Sequence, residues 1–509
     1  MKLFKLLFSK IFISALALLV QVLLILTVLL LFEQYVLAFQ IFSLFVGVVI
    51  FMDLVAKKES PEFKLPWLFV LIALPFFGMA IYCLFGRSRM SYKQYKFMIE
   101  FACRCKKYSE ISPEDDAELK DYLGGIGGIE NYLRRNSFSR GHLCNKVDYF
   151  KSGEEFYADL LCELEKAESF IFMEYFIIDR GRMWDGIHEI LKQKAAAGVE
   201  VRVMYDDIGC AGLLPGSYYK KLKKEGIDCV KFNPFRPVVS GIHNNRDHRK
   251  ITVIDGKVGY TGGVNLADEY INEISRFGHW KDTALKIQGS AVSNLTVLFL
   301  QLFDAMRKSF SDFEKYLGTD YESFDEEGYI HPFGDGPKPF YSELVGSNNF
   351  INIINSAEKY VWISTPYLIP DYNLLSALRS AAYRGVDVRI ITPGIPDKKI
   401  IFNMTRSNYK YLLQAGVKIY EYSPGFIHAK EMLADGVTAF VGTVNLDYRS
   451  LVHHYECGAV LYKTPCISEI EEGFEETLQA SREITDDNFK MNFFASLLNG
   501  ILNLFSPML

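Results

Sequence analysis

The stretch HRKITVIDGKVGYTGGVN, beginning at His248, has a counterpart in HAKEMLADGVTAFVGTVN, beginning at His428. Each carries Lys two residues after the His, Asp seven after it, and Gly-x-x-Asn ending seventeen after it. The two copies lie 180 residues apart. A sparse polar pattern kept twice in one register requires both copies to fold alike, so the chain is constrained to a duplicated domain. The surroundings repeat too. ESFIFMEYFIID (168–179) and EKYVWISTPYLIPD (358–371) read as buried strands rich in β-branched and aromatic residues. Each precedes a helical stretch and a Gly-Val-acid-Val-Arg strand, in 197–207 and 384–394, then a short strand, 226–232 and 416–422. Such alternation predicts α/β domains with mixed, largely parallel sheets. A polar, Gly-rich, acidic stretch from about 312 to 338 links the halves.

Each His-x-Lys opens a strand, and strand alternation puts both side chains on one face. Asp255 and Asp435 then fall at a turn, and Asn265 and Asn445 just past the next strand. Two adjacent strands thus deliver His, Lys and Asn to one place. An imidazole serves as nucleophile or proton shuttle, an ammonium binds phosphate as a point charge, and an amide donates to a phosphate oxygen. One copy is half an anion site. Two copies around a pseudo-twofold axis surround one phosphate with His248, His428, Lys250, Lys430, Asn265 and Asn445. One His attacks phosphorus while the other protonates the leaving alkoxide, their pKa values split by coupling. The lysines and amides stabilise charge on the equatorial oxygens. With that positive charge supplied, the pattern calls for no metal and no cofactor. Asp282 and Glu456 follow the two His by 34 and 28 residues. Each is a candidate to hold an imidazole in one tautomer, against the plainer reading of a surface acid. His453 and His454 read as packed or solvated, and Asp206 as a helix cap.

The amino-terminal end is apolar. Residues 11–32 are uncharged, long enough for a hydrocarbon core about 30 Å thick, and runs at 35–52 and 66–86 follow. The expectation is a multi-pass membrane anchor of two or three segments, with Pro75 and Gly78 able to bend the third. Lysines and arginines after Gly86 favour a cytoplasmic catalytic part. So do nine cysteines without a repeated spacing. A net charge of −5 gives no nucleic-acid signal. In the tail, residues 493–502 place Phe and Leu at helical spacing, an amphipathic pattern.

The doubled H-x-K-x4-D with Gly-x-x-Asn resembles the phospholipase D superfamily. Together with EYFIID, VRVMYDDIG, WKDTALKIQGSAV, the membrane runs and the closing LFSPML, it resembles bacterial cardiolipin synthases from about residue 35 to 509. The resemblance implies an anchor and connector over 1–110, repeats over 145–315 and 339–485, and a tail over 488–509. It implies phosphatidyl transfer between two phosphatidylglycerols, giving cardiolipin and glycerol through a phosphohistidine. His248 would be the nucleophile and His428 the general acid, then base. Asp255 and Asp435 belong to the catalytic signature. The implied partners are phosphatidylglycerol and cardiolipin in the bilayer; the negative net charge argues against nucleic acid, and a homo-oligomer stays open. A phospholipase D hydrolase, or transfer to another alcohol, stays open on residues alone. LVHHYECG departs from the family pattern in its His pair.

Overall fold

The computed structural model describes residues 16, 19–24, 26–27, 36–58, 60–86, 92–234, 244–318, 321–485 and 493–508. It divides into two units. The smaller comprises Met1–Met90, Pro237–Ile242 and Ile501–Leu509; the larger comprises Ser91–Arg236 and His243–Gly500.

In the larger unit each repeat has its own sheet. The first has seven strands in the order Lys146–Phe150, Ala284–Gln288, Val258–Gly262, Lys250–Ile254, Phe170–Tyr175, Glu200–Asp206, Asp228–Phe232. The second has nine. Six of these, Glu456–Tyr462, Thr438–Gly442, Glu431–Ala434, Tyr360–Ser364, Asp387–Pro393 and Lys418–Tyr422, repeat the order from Ala284–Gln288 onward. The second sheet is extended by His142–Leu143 and Tyr329–Asp335 at one edge and Ser481–Ile484 at the other. The strands are buried on both faces because helices cover them. Trp184, Ile187 and Leu191 of helix Arg182–Ala196 share one core with Ile171, Met173 and Val203.

The sheets are mixed, but not largely parallel. Only the last three strands of each repeated set run parallel. The others pair antiparallel. The cause is local. Asp255 and Gly256 sit at φ 54° and 68°, Asp435 and Gly436 at 54° and 67°. These left-handed residues reverse the chain tightly, so the strand after each His-x-Lys returns as a hairpin and not through a crossover helix.

Asp255 and Asp435 hold those turns. Asp255 accepts backbone N–H bonds from Glu168 at 2.8 Å and from Ser169 and Phe170 at 2.7 Å. Asp435 accepts from Glu358, Lys359 and Tyr360, each at 2.8 Å. Each carboxylate thus ties its hairpin to the start of the neighbouring antiparallel strand. Each Asp follows the strand next to its His, Lys250–Ile254 or Glu431–Ala434, at the end away from the His. Their place is in the turn, where they order the hairpin that follows each His-x-Lys.

In the smaller unit Val36–Ala56 forms a helix over the second apolar run. The third run is broken into Pro61–Ala73 and Pro75–Phe85, with Leu74 between them at φ −137° and ψ 69°. Pro75 lacks the N–H that would continue the first helix. A Cβ on Gly78 would lie 2.5 Å from the Val70 carbonyl oxygen, so the two halves approach closely. One continuous span over 66–86 is therefore not formed. Residues 11–32 lie largely outside the described residues. Among the described residues no helix is long and apolar enough to cross a membrane. The tail forms helix Phe493–Leu504, and Phe505 packs edge-on against Phe69, ring centres 5.8 Å apart.

Asp435→Ala strands three N–H donors at a strand start. It should cost about 2–3 kcal/mol of stability while leaving turnover near wild type well below the unfolding temperature. Thermal unfolding beside a low-temperature assay checks this; lost turnover in a fully folded variant would contradict it.

Candidate active site

The repeats meet through two matching seams. The strand Gly425–Ile427, just before His428, pairs in parallel with His279–Lys281, just before Asp282. Asp247, just before His248, bridges in parallel to Tyr455, just before Glu456. At each seam the His amide donates to the carbonyl preceding the acid: His428 to Lys281 at 2.7 Å, His248 to Tyr455 at 2.8 Å. Arg246, two residues before His248, adds a buried ion pair with Asp206 at 2.7 Å.

The seams cross the acids over. His248 Nδ1 lies 2.9 Å from Glu456 Oε2 of the second repeat, and His428 Nδ1 lies 2.6 Å from Asp282 Oδ2 of the first. Asp282 and Glu456 are 0% exposed, so neither is a surface acid. Each repeat supplies one imidazole and the carboxylate for the other. An ionised carboxylate only accepts, so both imidazoles carry their proton on Nδ1 and leave a lone pair on Nε2. The acids are themselves held. Glu456 receives hydroxyl bonds from Ser450, at 2.6 Å, and from Thr443. Asp282 takes the Thr283 N–H at 3.0 Å. A Cβ on Gly263 would lie 1.9 Å from Asp282 Oδ1, so glycine is required there. At the equivalent place the second repeat has Thr443, whose hydroxyl binds the acid instead. The spacing along the chain gave no sign of the crossing, of Ser450 or of Thr443.

Lys250 Nζ donates to the His248 carbonyl at 2.7 Å, and Lys430 Nζ to the His428 carbonyl. The structure therefore brings His248, His428, Lys250, Lys430, Asp282 and Glu456 together, all buried. The asparagines differ from each other. Asn265 Oδ1 accepts the Ile177 N–H at 3.0 Å and its Nδ2 donates to the Tyr270 hydroxyl at 2.7 Å, so its amide is engaged within the protein. Asn445 is buried with Oδ1 lacking a protein partner.

Burial sets the charge states. It pushes His248 down to about 3 and His428 down to about 4, with the adjacent lysine assisting and the paired carboxylate opposing. Both imidazoles are neutral at physiological pH. Burial would raise Glu456 and Asp282, but the partner histidines outweigh it and hold both below the ordinary carboxylate range. Burial also lowers Lys250 to about 8 and Lys430 to about 7, against the pull of Glu456 and Asp282 respectively, and Lys250 repels Lys430. An anion between the two ammoniums would reverse that. The set can do nucleophilic and general acid–base work on a bound phosphate ester.

The family described as "Cardiolipin synthase, PLD-like domain" matches residues 160–289 and 350–478. The chain belongs to that cardiolipin synthase family. "Phospholipase_D-nuclease N-terminal" matches 41–87. Among curated relatives, a cardiolipin synthase of Alkalihalophilus pseudofirmus is 35% identical over 478 residues, 92% of this chain and 93% of its own length. Cardiolipin synthase 2 of Bacillus cereus is 35% identical over 490 residues, covering 92% and 91%. An uncharacterized protein of Streptococcus mutans is 43% identical over 445 residues, covering 87% and 96%. The solved structure of a phosphatidylserine synthase from Haemophilus influenzae shares the fold at TM-score 0.55 and 14% identity, over 75% of this chain and 97% of that one.

Glu456→Gln replaces the acceptor-only carboxylate that fixes the His248 tautomer with a neutral amide that can also donate, and should lower turnover by on the order of 10³–10⁴ without unfolding the chain. The pH dependence follows from the lysines. As pH rises through 7 to 8 the free enzyme loses ammonium charge, so kcat/KM for an anionic lipid falls by up to about tenfold per pH unit. In the bound state phosphate restores the charge, so kcat holds to higher pH. A kcat/KM flat to pH 9.5 would contradict this.

Proposed function

We propose that this chain is a cardiolipin synthase. It moves a phosphatidyl group from one phosphatidylglycerol to another, reversibly, giving cardiolipin and glycerol. The observation that carries the reading is the crossed pair of neutral imidazoles, each with a free Nε2 and an ionised carboxylate behind it, flanked by two buried ammoniums. Following the family resemblance, His248 Nε2 attacks phosphorus and the P–O bond to glycerol breaks. The bound phosphodiester's negative charge lets His428 take a proton from solvent on Nε2, and His428 gives that proton to the leaving alkoxide. A second phosphatidylglycerol hydroxyl then loses its proton to His428, attacks the phosphohistidine and frees His248. Lys250, Lys430 and the Asn445 amide face the phosphoryl charge. Asn265 acts through Tyr270, whose ring stands edge-on to His428 with centres 5.4 Å apart. The repeats over 145–315 and 339–485 each contribute half of this apparatus, and a homo-oligomer is not required for it.

The amino-terminal unit is proposed to sit in the bilayer and deliver both lipids. Supporting this, Leu37, Leu44, Phe45 and Ile72 are 67%, 70%, 66% and 79% exposed. Large apolar side chains so exposed on two helices suit a lipid surface better than water. In this reading the apolar amino-terminal segments form the multi-pass anchor. All nine cysteines are unpaired, which supports a reducing, cytoplasmic side for the larger unit.

Purified full-length protein in detergent–lipid micelles, with phosphatidylglycerol as sole lipid and EDTA present, should release glycerol and cardiolipin in equal amounts. His248→Ala and His428→Ala should abolish both. Phosphatidic acid as the product instead would make the enzyme a hydrolase.

A further inference from the structure

His454 is not used by this chemistry. It is 8% exposed, and neither ring nitrogen has a hydrogen-bond partner. A buried imidazole with two unmet polar atoms costs free energy and requires an explanation. Its surroundings supply one. His454 Nδ1 lies 3.6 Å from Glu456 Oε1, beyond hydrogen-bond reach, and its ring centre is 5.5 Å from that of His248. His248, His454 and Glu456 each direct a ligand atom into one group whose members lie within 4.8 Å of one another.

We propose that His248, His454 and Glu456 form an inhibitory site for a zinc-type divalent ion. Two imidazoles and one carboxylate are a common zinc donor set, leaving the fourth position to water. Ligands at about 2.0–2.1 Å in a tetrahedral shell lie about 3.3 Å apart. His248 Nδ1 lies 2.9 Å from Glu456 Oε2 and His454 Nδ1 lies 3.6 Å from Oε1, and one ligand atom from each of the three residues falls within 4.8 Å of the others. The carboxylate is already fixed by Ser450 and Thr443, as metal-binding carboxylates are. The inhibitory sense rests on the proposed reaction and follows from proton placement. A metal on Nδ1 of His248 displaces its proton to Nε2, with no net proton release, and removes the lone pair that attacks phosphorus. A metal on Nε2 occupies that lone pair directly. His454 thus lets one ion clamp His248 to the acid that otherwise activates it.

The test measures binding and activity separately on the full-length protein in detergent. Zinc competed against a chromophoric chelator, and cobalt followed by visible absorption, report the site without any lipid. Wild type should take up about one ion per chain, with the intense bands of tetrahedral cobalt. His454→Ala should weaken binding by at least about tenfold, and His454→Cys, which restores a ligand, should recover it. In the transfer assay zinc should inhibit wild type, EDTA should reverse it, and His454→Ala should need at least about tenfold more zinc. Binding unchanged in His454→Ala, or absent from wild type, overturns the site. Binding as expected without inhibition of transfer overturns the inhibitory role alone. If no transfer is seen even with EDTA, the proposed function fails while the binding result still decides the site.

Discussion

Everything in the larger unit depends on two crossed imidazole–carboxylate bonds, His248 to Glu456 and His428 to Asp282. Each joins a residue of one repeat to a residue of the other. Neither repeat alone can fix the tautomer of its own histidine. The parallel seams at Asp247–Tyr455 and Gly425–Ile427 with His279–Lys281 exist to bring these partners together. The duplication is therefore one site built from two halves, and the proposed catalytic groups lie at the interface between repeats.

Burial turns that geometry into reactivity. Water would protonate or solvate these groups individually. Removed from water, the imidazoles stay neutral, the acids stay charged through their partners, and the lysines are driven toward deprotonation. The set is poised for an added negative charge. A phosphodiester supplies it, and in the proposed reaction it restores the ammoniums and offers one neutral imidazole an electrophile. Asymmetry enters through small substitutions. Gly263 makes room for Asp282, whereas Thr443 binds Glu456, and His454 stands beside His248.

Much of this was legible in the sequence. The doubled His-x-Lys register gave the duplication, the strand placement and the four central residues, because strand periodicity converts spacing into a shared face. Asp282 and Glu456 were visible as candidates. Their crossing was not, because it joins residues 146 and 208 apart and no local pattern encodes a contact between repeats. The sheet direction was misread although the signal was present. IDGKV and ADGVT are Asp-Gly turns flanked by apolar residues, the strongest short hairpin signal. Asn265 matched its counterpart in sequence, but Ile177 and Tyr270 occupy its amide. His454 looked like a packed residue; only its unmet nitrogens mark it out.

The measurement that reaches the central claim is the site of the covalent adduct. The full-length enzyme would be mixed with phosphatidylglycerol, quenched in base within one turnover, digested and read by mass spectrometry. The account predicts a phosphatidyl group on His248 and on no other residue. An adduct on His428 would reverse the assignment of the halves, and the absence of adduct from both histidines during active glycerol release would contradict the account.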